Sequence, residues 1–306
     1  MTPPPVPHDD ALAVLADVAE RLQRRLLPAA PPELAGLDIA FTYRSASTGV
    51  LSGGDFLDYY TRPPSGSLAF AIGDVAGKGV DAMATTFVTK FMLRAAVHGG
   101  QLSWPTRPGE ALQELRNGLL EQPDFDPDTD RFVTVLFGQL TPRTGLLQLS
   151  TAGHPTPFLV RSGGVERPLL MVEPAIGVEL DAALEPYPTE ILQLGEGDLI
   201  VVFTDGITEL RDADGRFFES KMDGELAGCH SMPSAEVVSY PTNVVSPARR
   251  RIPSYSAVSC AWRASSTFRP PRLRSRCSAS ATSNPARSTW TPYSAASSIV
   301  RSIGKP

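Results

Sequence analysis

Cysteine is scarce in this chain of 306 residues, which has only Cys229, Cys260 and Cys277. Their odd number and the lack of a CxxC pair support neither a disulfide framework nor a zinc site. No uncharged apolar stretch reaches the roughly 18 residues that a membrane-spanning helix requires. The start of the chain, TPPPVPHDD, lacks the charged lead and apolar core of a signal peptide. We therefore expect a cytoplasmic protein without a membrane segment.

Acidic residues are missing from the last part of the chain. Residues 237–306 contain 11 Arg and Lys and no acidic residue, whereas residues 1–236 contain all 33 acidic residues and 17 basic ones. The net charge of −5 therefore conceals a front part of −16 and a tail of +11. Such a split often marks a tail that binds nucleic acid. Aromatic residues are sparse in this tail, so a base-stacking surface is poorly supported and we do not expect nucleic acid binding.

Short strand-like runs separated by turn signals dominate the middle of the chain. TPRTG (141–145) and RSGG (161–164) predict hairpin turns. Hairpins with helices set apart from them predict an α+β fold with antiparallel sheets, not a doubly wound parallel sheet. Helices are predicted at Val80–His98 and Pro108–Leu120, and strands at Leu37–Tyr43, Ser67–Val75, 131–140, 146–151, 157–161, after Gly164, at Thr189–Leu194 and at Asp198–Phe203.

Residues 1–30 are predicted to form a proline-rich lead and one helix, which begins at Asp9 or Asp10 and ends near Leu27. Its apolar residues follow the 3-4 spacing of one helical face: Leu12, Leu15, Ala19, Leu22 and Leu26. Two heptads are too few to indicate a coiled coil. The sequence leaves two interpretations open, a helix packed on its own domain and a helix for dimerisation or signal input.

The stretch SGGDFLDYY, residues 52–60, is open to three interpretations. It resembles a damaged GGDEF signature of cyclic-dinucleotide synthesis, but it lacks the fourth acidic letter. It is also compatible with a simple glycine turn, or with Asp55 as one carboxylate of a metal site. The neighbouring GKG around Lys78 does not form a Walker loop, because only three residues precede it after Gly73 and glycine follows the lysine.

Three aspartates follow apolar strands or glycines at points where the chain reverses. Asp55 lies in GGDFLD, Asp74 in GDVAGKG and Asp205 in FTDG. Carboxylates that converge at one rim of a sheet repel each other unless a cation binds between them. Oxygen ligands suit Mg²⁺ or Mn²⁺, and two such ions would polarise a phosphate and generate hydroxide at neutral pH. A single Asp-Gly is usually only a turn, so the combination carries the hypothesis.

The order of motifs resembles the PPM-type metal-dependent serine/threonine protein phosphatases, in the SpoIIE/RsbU branch. The matching segments cover about residues 20–240. They are LQRRLLP (22–28), GGDFLD (53–58), AIGDVAGKGVDAMATT (71–86), FVTVLFGQLTPRTGLLQLSTAGHPTPFLV (132–160) and LGEGDLIVVFTDGITEL (194–210). The resemblance implies a four-layer α-β-β-α sandwich of two antiparallel sheets flanked by helices, with a two-metal centre at one end.

The resemblance also implies a mechanism and a ligand set. Two Mn²⁺ or Mg²⁺ ions would be held by Asp55, Asp74, the backbone oxygen of Val75 and Asp205, and a metal-activated water would attack the phosphoserine phosphorus. Gly77 and Gly79 would let the loop pass close to the ions. The implied substrate is a phosphorylated regulatory protein, in this branch an anti-anti-sigma factor, and a homodimer through the N-terminal helix is a further expectation.

Three other residues are each open to a structural and a functional interpretation. His154 in AGHPTP is read mainly as part of a turn, with proton transfer as the alternative. Arg44 is read mainly as a solvated strand end, with phosphate steering as the alternative. Asp58 either supports the metal shell through water or caps a turn.

The chain departs from the family pattern after residue 240. The family closes with a strand introduced by paired aspartates, one of which completes the metal site, but no Asp follows Asp223. We therefore expect a phosphatase domain at 31–240, with its last strand missing, and a disordered Ser/Arg/Pro-rich tail at 241–306. The abrupt change in composition suggests, as a hypothesis, a frameshift near residue 240.

Two consequences are expected from this departure. A site with three aspartates holds less negative charge for two dications, and a missing strand exposes a sheet edge. The chain is therefore expected to be weakly active or inactive and prone to aggregate. The alternative function is a pseudophosphatase, a non-catalytic module that keeps the fold and binds the same partner.

Overall fold

Two β-sheets, packed face to face and covered by helices, make up the described part of the chain. The computed structural model describes residues 14, 17, 18, 21, 22, 25–44, 54–62, 66–77, 79–98, 107–123, 125, 131–178, 187–208, 217–244 and 257–264. All of them belong to the unit Met1–Pro271, and the second unit, Arg272–Pro306, contains no described residue.

The elements alternate between hairpins and helices along the chain. In order they are β1 (Leu37–Arg44), β2 (Phe56–Arg62), β3 (Ser67–Val75), α1 (Val80–His98), α2 (Pro108–Leu120), β4 (Val133–Thr141), β5 (Leu146–Ala152), β6 (Phe158–Arg161), β7 (Gly164–Glu166), β8 (Val172–Glu173), β9 (Glu190–Gln193), β10 (Leu199–Phe203), α3 (Asp205–Thr208), α4 (Glu219–Ala227), α5 (Ser234–Val244) and β11 (Ala257–Ala264).

The strands form two sheets, one of five strands and one of six. Sheet A has the order β1-β11-β10-β6-β7, and sheet B has the order β2-β3-β4-β5-β8, with β9 also paired to β5. Neighbouring strands are antiparallel except for the short β5–β8 pair, which is parallel. The predicted α+β fold with antiparallel sheets is confirmed, with that one parallel pair as an exception among the described strands.

The residues of β3 show how sheet B packs against sheet A on one face and against helices on the other. Alternate residues of a strand face opposite sides of its sheet. Leu68, Phe70 and Ile72 lie in the core between the sheets, whereas Ala69 and Ala71 lie under α1 and α2. The small alanines let these helices approach sheet B closely. A third apolar cluster joins sheet A to α4 and α5, which completes the predicted α-β-β-α sandwich.

Most predicted elements are present with nearly the predicted bounds. The structure adds β2, β8, α3, α4 and β11, which the sequence patterns did not predict. The strand β2 was missed because its glycine-rich lead reads as a turn. None of the described helices is both long enough and apolar enough to cross a membrane.

The expectation that the last core strand is missing is wrong. The strand β11 lies in the middle of sheet A, where Ala261 pairs with Ala40 of β1 and Val201 of β10. Backbone N–H and C=O groups can pair between strands whatever side chains the strands carry. A segment with little apolar pattern can therefore still form the strand between β1 and β10. The argument that an exposed edge promotes aggregation therefore no longer applies to this edge. The frameshift hypothesis, and the predicted boundaries near residues 30 and 240, stay predictions.

The described residues between Val14 and Leu26 are helical, as predicted for the N-terminal segment. Leu26 is fully buried, and its carbonyl oxygen accepts a hydrogen bond of 2.7 Å from Nζ of Lys90 on α1. Val14, Val18 and Leu22 are exposed on this helix. Leu12, Leu15 and Ala19 of the predicted apolar face lie outside the described residues. The end of the helix thus packs on its own domain, while an earlier part presents apolar side chains to solvent.

Candidate metal centre

The register of sheet B brings Asp55 and Asp74 together. Phe56 pairs with Gly73, and the N–H of Val75 donates a hydrogen bond of 3.2 Å to the carbonyl oxygen of Gly54. Asp55, directly before β2, therefore lies opposite Asp74 near the end of β3. Asp55 is buried and Asp74 is half-buried.

Gly54 lies directly against two of the predicted ligands. A methyl group on its Cα would lie 2.2 Å from Oδ1 of Asp74 and 2.4 Å from the carbonyl oxygen of Val75. Both distances are far shorter than any real carbon–oxygen contact. Only glycine therefore fits at this position, and the Asp74 carboxylate and the Val75 carbonyl oxygen lie close to each other beside it.

Asp205 brings a second carboxylate to Asp74 from the other sheet. It begins α3, directly after β10 and the buried Thr204. Burial, and then repulsion from Asp205, raises the pKa of Asp74 to about 7. Partial burial also raises the pKa of Asp205, but its side chain keeps contact with solvent, so Asp74 is the more strongly perturbed of the two. The repulsion of Asp74 by Asp205 is the effect expected of carboxylates that share a cation site.

The helix α1 is tied to Gly54, and the loop that precedes this helix contains two glycines of unusual conformation. Thr86 is fully buried, and its hydroxyl donates to the carbonyl oxygens of Ala82 at 2.8 Å and Gly54 at 3.3 Å. Gly77 and Gly79 adopt φ angles of +108° and +85°, which side chains other than glycine rarely adopt. The backbone conformation therefore favours glycine at both positions, and the close approach of this loop to the ions stays a prediction.

A threonine and a histidine lie behind the carboxylates. Thr134 of β4 pairs with Asp74, and its Oγ1 lies 3.4 Å from the Asp74 carbonyl oxygen. The same Oγ1 is 3.0 Å from Nδ1 of His154. His154 is 2% exposed, and burial lowers its pKa to about 3, against a small opposing effect from the backbone of Phe203. His154 is therefore neutral at ordinary pH.

Asp58 does not face the metal centre. Both of its carboxylate oxygens accept hydrogen bonds of 2.7 Å from Arg94. The ammonium group of Lys90 lies 3.8 Å from the same carboxylate. Neither earlier interpretation of Asp58, a metal-shell residue or a turn cap, describes this contact. It is the anionic centre of a largely buried ion pair between β2 and α1.

The structure brings together some predicted site residues and not others. The Asp74 carboxylate and the Val75 oxygen lie beside Gly54, the strand register places Asp55 opposite Asp74, and Asp205 is close enough to raise the pKa of Asp74. Within the described ranges, no three His, Cys, Asp or Glu side chains form a group that could hold a metal ion. Arg44 ends β1, and its phosphate-steering role stays a prediction. Gly53 and Lys78 lie outside the described residues.

Two contributors to the site were not predicted from the sequence. Thr86 and Thr134 lie within the matching segments 71–86 and 132–160, but their contacts depend on strand register and on the packing of α1. The AGHPTP motif marked His154 but not its contact with Thr134.

The donor set suits a hard divalent cation. A carboxylate and a carbonyl oxygen beside one glycine, with a second carboxylate close by, are the oxygen ligands that Mg²⁺ and Mn²⁺ prefer. A cation there would offset the repulsion that raises the pKa of Asp74. The residues present therefore fit such an ion.

Comparison with known proteins gives a consistent family. Residues 64–250 match the family model described as Stage II sporulation protein E (SpoIIE). Protein IcfG of Synechocystis is 25% identical over 222 residues, which cover 65% of this chain and 33% of that protein. Phosphoserine phosphatase RsbU of Bacillus subtilis is 26% identical over 221 residues, which cover 72% of this chain and 61% of that protein. The chain thus spans less than two thirds of either relative.

Solved structures of phosphatase domains share the fold. The SiaA-PP2C domain of Pseudomonas aeruginosa superposes with a TM-score of 0.65 at 16% identity, covering 84% of this chain and 96% of that domain. RsbX, crystallised in complex with magnesium, gives a TM-score of 0.55 at 13% identity, covering 76% of this chain and 98% of that protein. The predicted PPM-type sandwich is therefore confirmed as the fold.

Proposed function

The chain belongs to the Stage II sporulation protein E (SpoIIE) family, and from this premise we propose that it is a metal-dependent protein serine/threonine phosphatase. The observation that carries the proposal is the contact of Gly54 with the Asp74 carboxylate and the Val75 carbonyl oxygen. A backbone that excludes every side chain but hydrogen at this point leaves room for an ion beside the two oxygens.

Asp55, Asp74, Asp205 and the backbone oxygen of Val75 would hold two Mn²⁺ or Mg²⁺ ions. When bound, the ions would polarise the phosphoryl oxygens and lower the pKa of water, so that no protein nucleophile is needed. The chain's own contribution is to fix these oxygens in place. Gly54 provides the close approach, Thr86 holds the Gly54 carbonyl, and the magnesium complex of RsbX supports the choice of cation by analogy of fold.

The substrate is proposed to be phosphoserine on a regulatory protein. RsbU, which this chain resembles over 72% of its length, is a phosphoserine phosphatase. By analogy with that branch, the protein substrate is an anti-anti-sigma factor, and the activity belongs to the cytoplasm.

A homodimer through the N-terminal helix is part of the proposal. Val14, Val18 and Leu22 recur every fourth residue and are 60%, 46% and 43% exposed. Residues at this spacing share one face of a helix, and a second copy of the helix would cover that face. Light scattering of the full chain tests this, because Val18→Glu should convert a dimer into a monomer. A monomeric parent chain would contradict it.

The alternative function is a pseudophosphatase that binds the same partner without hydrolysis. The absence of any Asp after Asp223 favours it, because the family's final ligand has no counterpart in this sequence. The fold and the partner surface would be kept, while cation binding would be weak.

Calorimetric titration of Mn²⁺ into the full chain separates the two functions. The phosphatase predicts tight binding of two ions per chain and hydrolysis of a phosphoserine peptide that EDTA abolishes. Asp223→Asn is the matched control, since Asp223 lies in an exposed ion pair with Arg167 and should not alter binding. Failure of the parent chain to bind Mn²⁺ would overturn the phosphatase and favour the pseudophosphatase.

A further inference from the structure

The imidazole of His154 lies between the ends of the two sheets. Thr134, which contacts its Nδ1, belongs to sheet B and is the register partner of Asp74. The backbone of Phe203, which also acts on the ring, ends β10 of sheet A two residues before Asp205. The ring thus contacts β4, the neighbour of the strand that carries Asp74, and its pKa responds to the backbone at the end of β10, two residues before Asp205.

The ring is not needed to close the turn in which it lies. The backbone N–H of His154 donates to Oγ1 of Thr151 at 3.2 Å, and the Thr151 hydroxyl donates to the His154 carbonyl at 3.0 Å. Gly153 adopts a φ of +63° and pairs with Val135. These contacts fix the AGHP turn through backbone groups and Thr151. The imidazole is therefore available for a role beyond the turn.

The chemistry of the ring suits a position behind carboxylates. Because His154 is buried and neutral, it adds no positive charge that would compete with a cation. Its Nε2 has no hydrogen-bond partner among the described residues, and the backbone of Phe203 opposes the lowering of its pKa by burial. The strong link is the one to Thr134, whose hydroxyl joins the ring to the Asp74 backbone.

We propose that His154, acting through Thr134, is a positioning residue that sets the spacing between the Asp74 and Asp205 carboxylates and thereby the cation affinity of the centre. The proposal rests on the proposed metal-dependent function. A histidine that only filled space would contact apolar groups, whereas this one is joined to the backbone of a ligand residue by a shared hydroxyl. Residues that are hydrogen-bonded to metal ligands orient those ligands in many proteins.

Thr134→Val and Thr134→Ser test the link in the full chain. Valine keeps the shape of threonine but removes the hydroxyl, and serine keeps the hydroxyl. Calorimetry should show about tenfold weaker Mn²⁺ binding for Thr134→Val and a change of less than about threefold for Thr134→Ser. The unfolding midpoints of the metal-free variants should stay close to each other. Equal Mn²⁺ affinity in the two variants would overturn the proposal.

A second variant covers the case in which Thr134→Val does not fold. His154→Asn keeps a polar group towards Thr134 but is too short to reach Phe203, so it should also lose about tenfold in Mn²⁺ affinity. Unchanged affinity in that variant would overturn the proposal.

Hydrogen exchange of the metal-free protein separates this inference from the proposed function. Peptides that cover 72–76 and 203–207 should exchange faster in Thr134→Val than in the parent chain, and at the parent rate in Thr134→Ser. If the parent chain binds no Mn²⁺, the proposed function fails, and this measurement alone decides whether His154 holds the two strand ends. Parent-like exchange in Thr134→Val would overturn the positioning role.

Discussion

Gly54 and Asp74 touch across the β2–β3 hairpin so closely that a methyl group on Gly54 would lie 2.2 Å from a carboxylate oxygen of Asp74. The carbonyl oxygen of Val75 is nearly as close to that point. The shape of the site therefore depends on glycine at position 54 as much as on the carboxylates. This relationship gives the most direct test of the proposed metal centre.

Gly54→Ala should abolish Mn²⁺ binding and activity, because the new methyl group must displace the Asp74 carboxylate, the Val75 carbonyl or both. The Val75 carbonyl belongs to the backbone and cannot give way cheaply, since the N–H of the same residue donates to the Gly54 carbonyl oxygen. Calorimetry and phosphopeptide hydrolysis measure the effect. Gly163→Ala is the matched control, because its added methyl group would meet no atom within 4 Å, and it should behave as the parent chain. Normal Mn²⁺ affinity in Gly54→Ala would contradict the site.

Asp74→Asn should weaken Mn²⁺ binding and raise the stability of the metal-free fold. Burial and then Asp205 disfavour the ionised form of Asp74 and raise its pKa from 3.8 to about 7, so the free energy of unfolding falls as the pH rises between these values and the cost is complete above about pH 7. A neutral amide removes that repulsion and a metal ligand together. At pH 8 without metal the variant should unfold a few degrees higher than the parent chain, and it should lose most of its Mn²⁺ binding. A lower midpoint together with parent-like Mn²⁺ binding would contradict both arguments.

His154 should make the metal-free protein less stable in acid. Its pKa in the folded state is about 3, below the ordinary value of 6.5, so the unfolded chain takes up a proton first as the pH falls. The cost is absent above pH 6.5, grows by about 1.4 kcal/mol per pH unit below it, and is complete near pH 3.

Urea unfolding of the parent chain and His154→Gln between pH 8 and pH 4 measures this effect. Gln cannot take up the proton, so the stability advantage of the parent chain should shrink as the pH falls. The titration of Asp74 is common to both proteins and cancels in the comparison. Parallel pH profiles would show that His154 does not titrate as its burial implies.

Strand and helix positions could be predicted where a clear apolar period runs through an element, as in β3 and α1. The strand β11 could not, because its backbone bonds depend on gaps left by β1 and β10, more than 50 residues away in the chain. The same limit applies to the site. Asp55 and Asp74 follow from their motifs, but the link from Thr134 to His154 depends on the register of β3 with β4.

Asp58 shows how a motif residue can be assigned to the wrong place. It lies three residues after Asp55, yet its carboxylate pairs with Arg94 and Lys90 on α1. Its position in β2 turns it away from the metal edge. The sequence spacing alone could not distinguish this ion pair from a metal-shell residue.

Asp58→Asn should destabilise the fold by roughly 3 to 5 kcal/mol, because it leaves the buried Lys90 without its counter-ion. Burial lowers the pKa of Lys90, and Asp58 is the group that opposes this shift. Urea unfolding measures the loss. Asp223→Asn is the control, since its pair with Arg167 has side chains that are 58% and 42% exposed, and it should change stability by less than about 0.5 kcal/mol. Equal losses of unfolding free energy in the two variants would show that the buried ion pair stabilises the fold no more than the exposed one.

The strand β11 gives the last prediction, through two truncated chains. A chain that ends at residue 256 lacks β11, so β1 and β10 each lose the backbone partners they have along this strand. Unpaired backbone groups and an open sheet edge should make this chain aggregate or unfold.

A chain that ends at residue 271 keeps β11 and the whole of the first unit. It should elute as the full chain does in gel filtration and unfold at a similar temperature. The two truncations differ by only 15 residues, so a difference between them identifies β11 as part of the core. If the chain ending at residue 256 were as soluble and as stable as the longer one, β11 would contribute nothing to sheet A, and the original expectation of a missing strand would be restored.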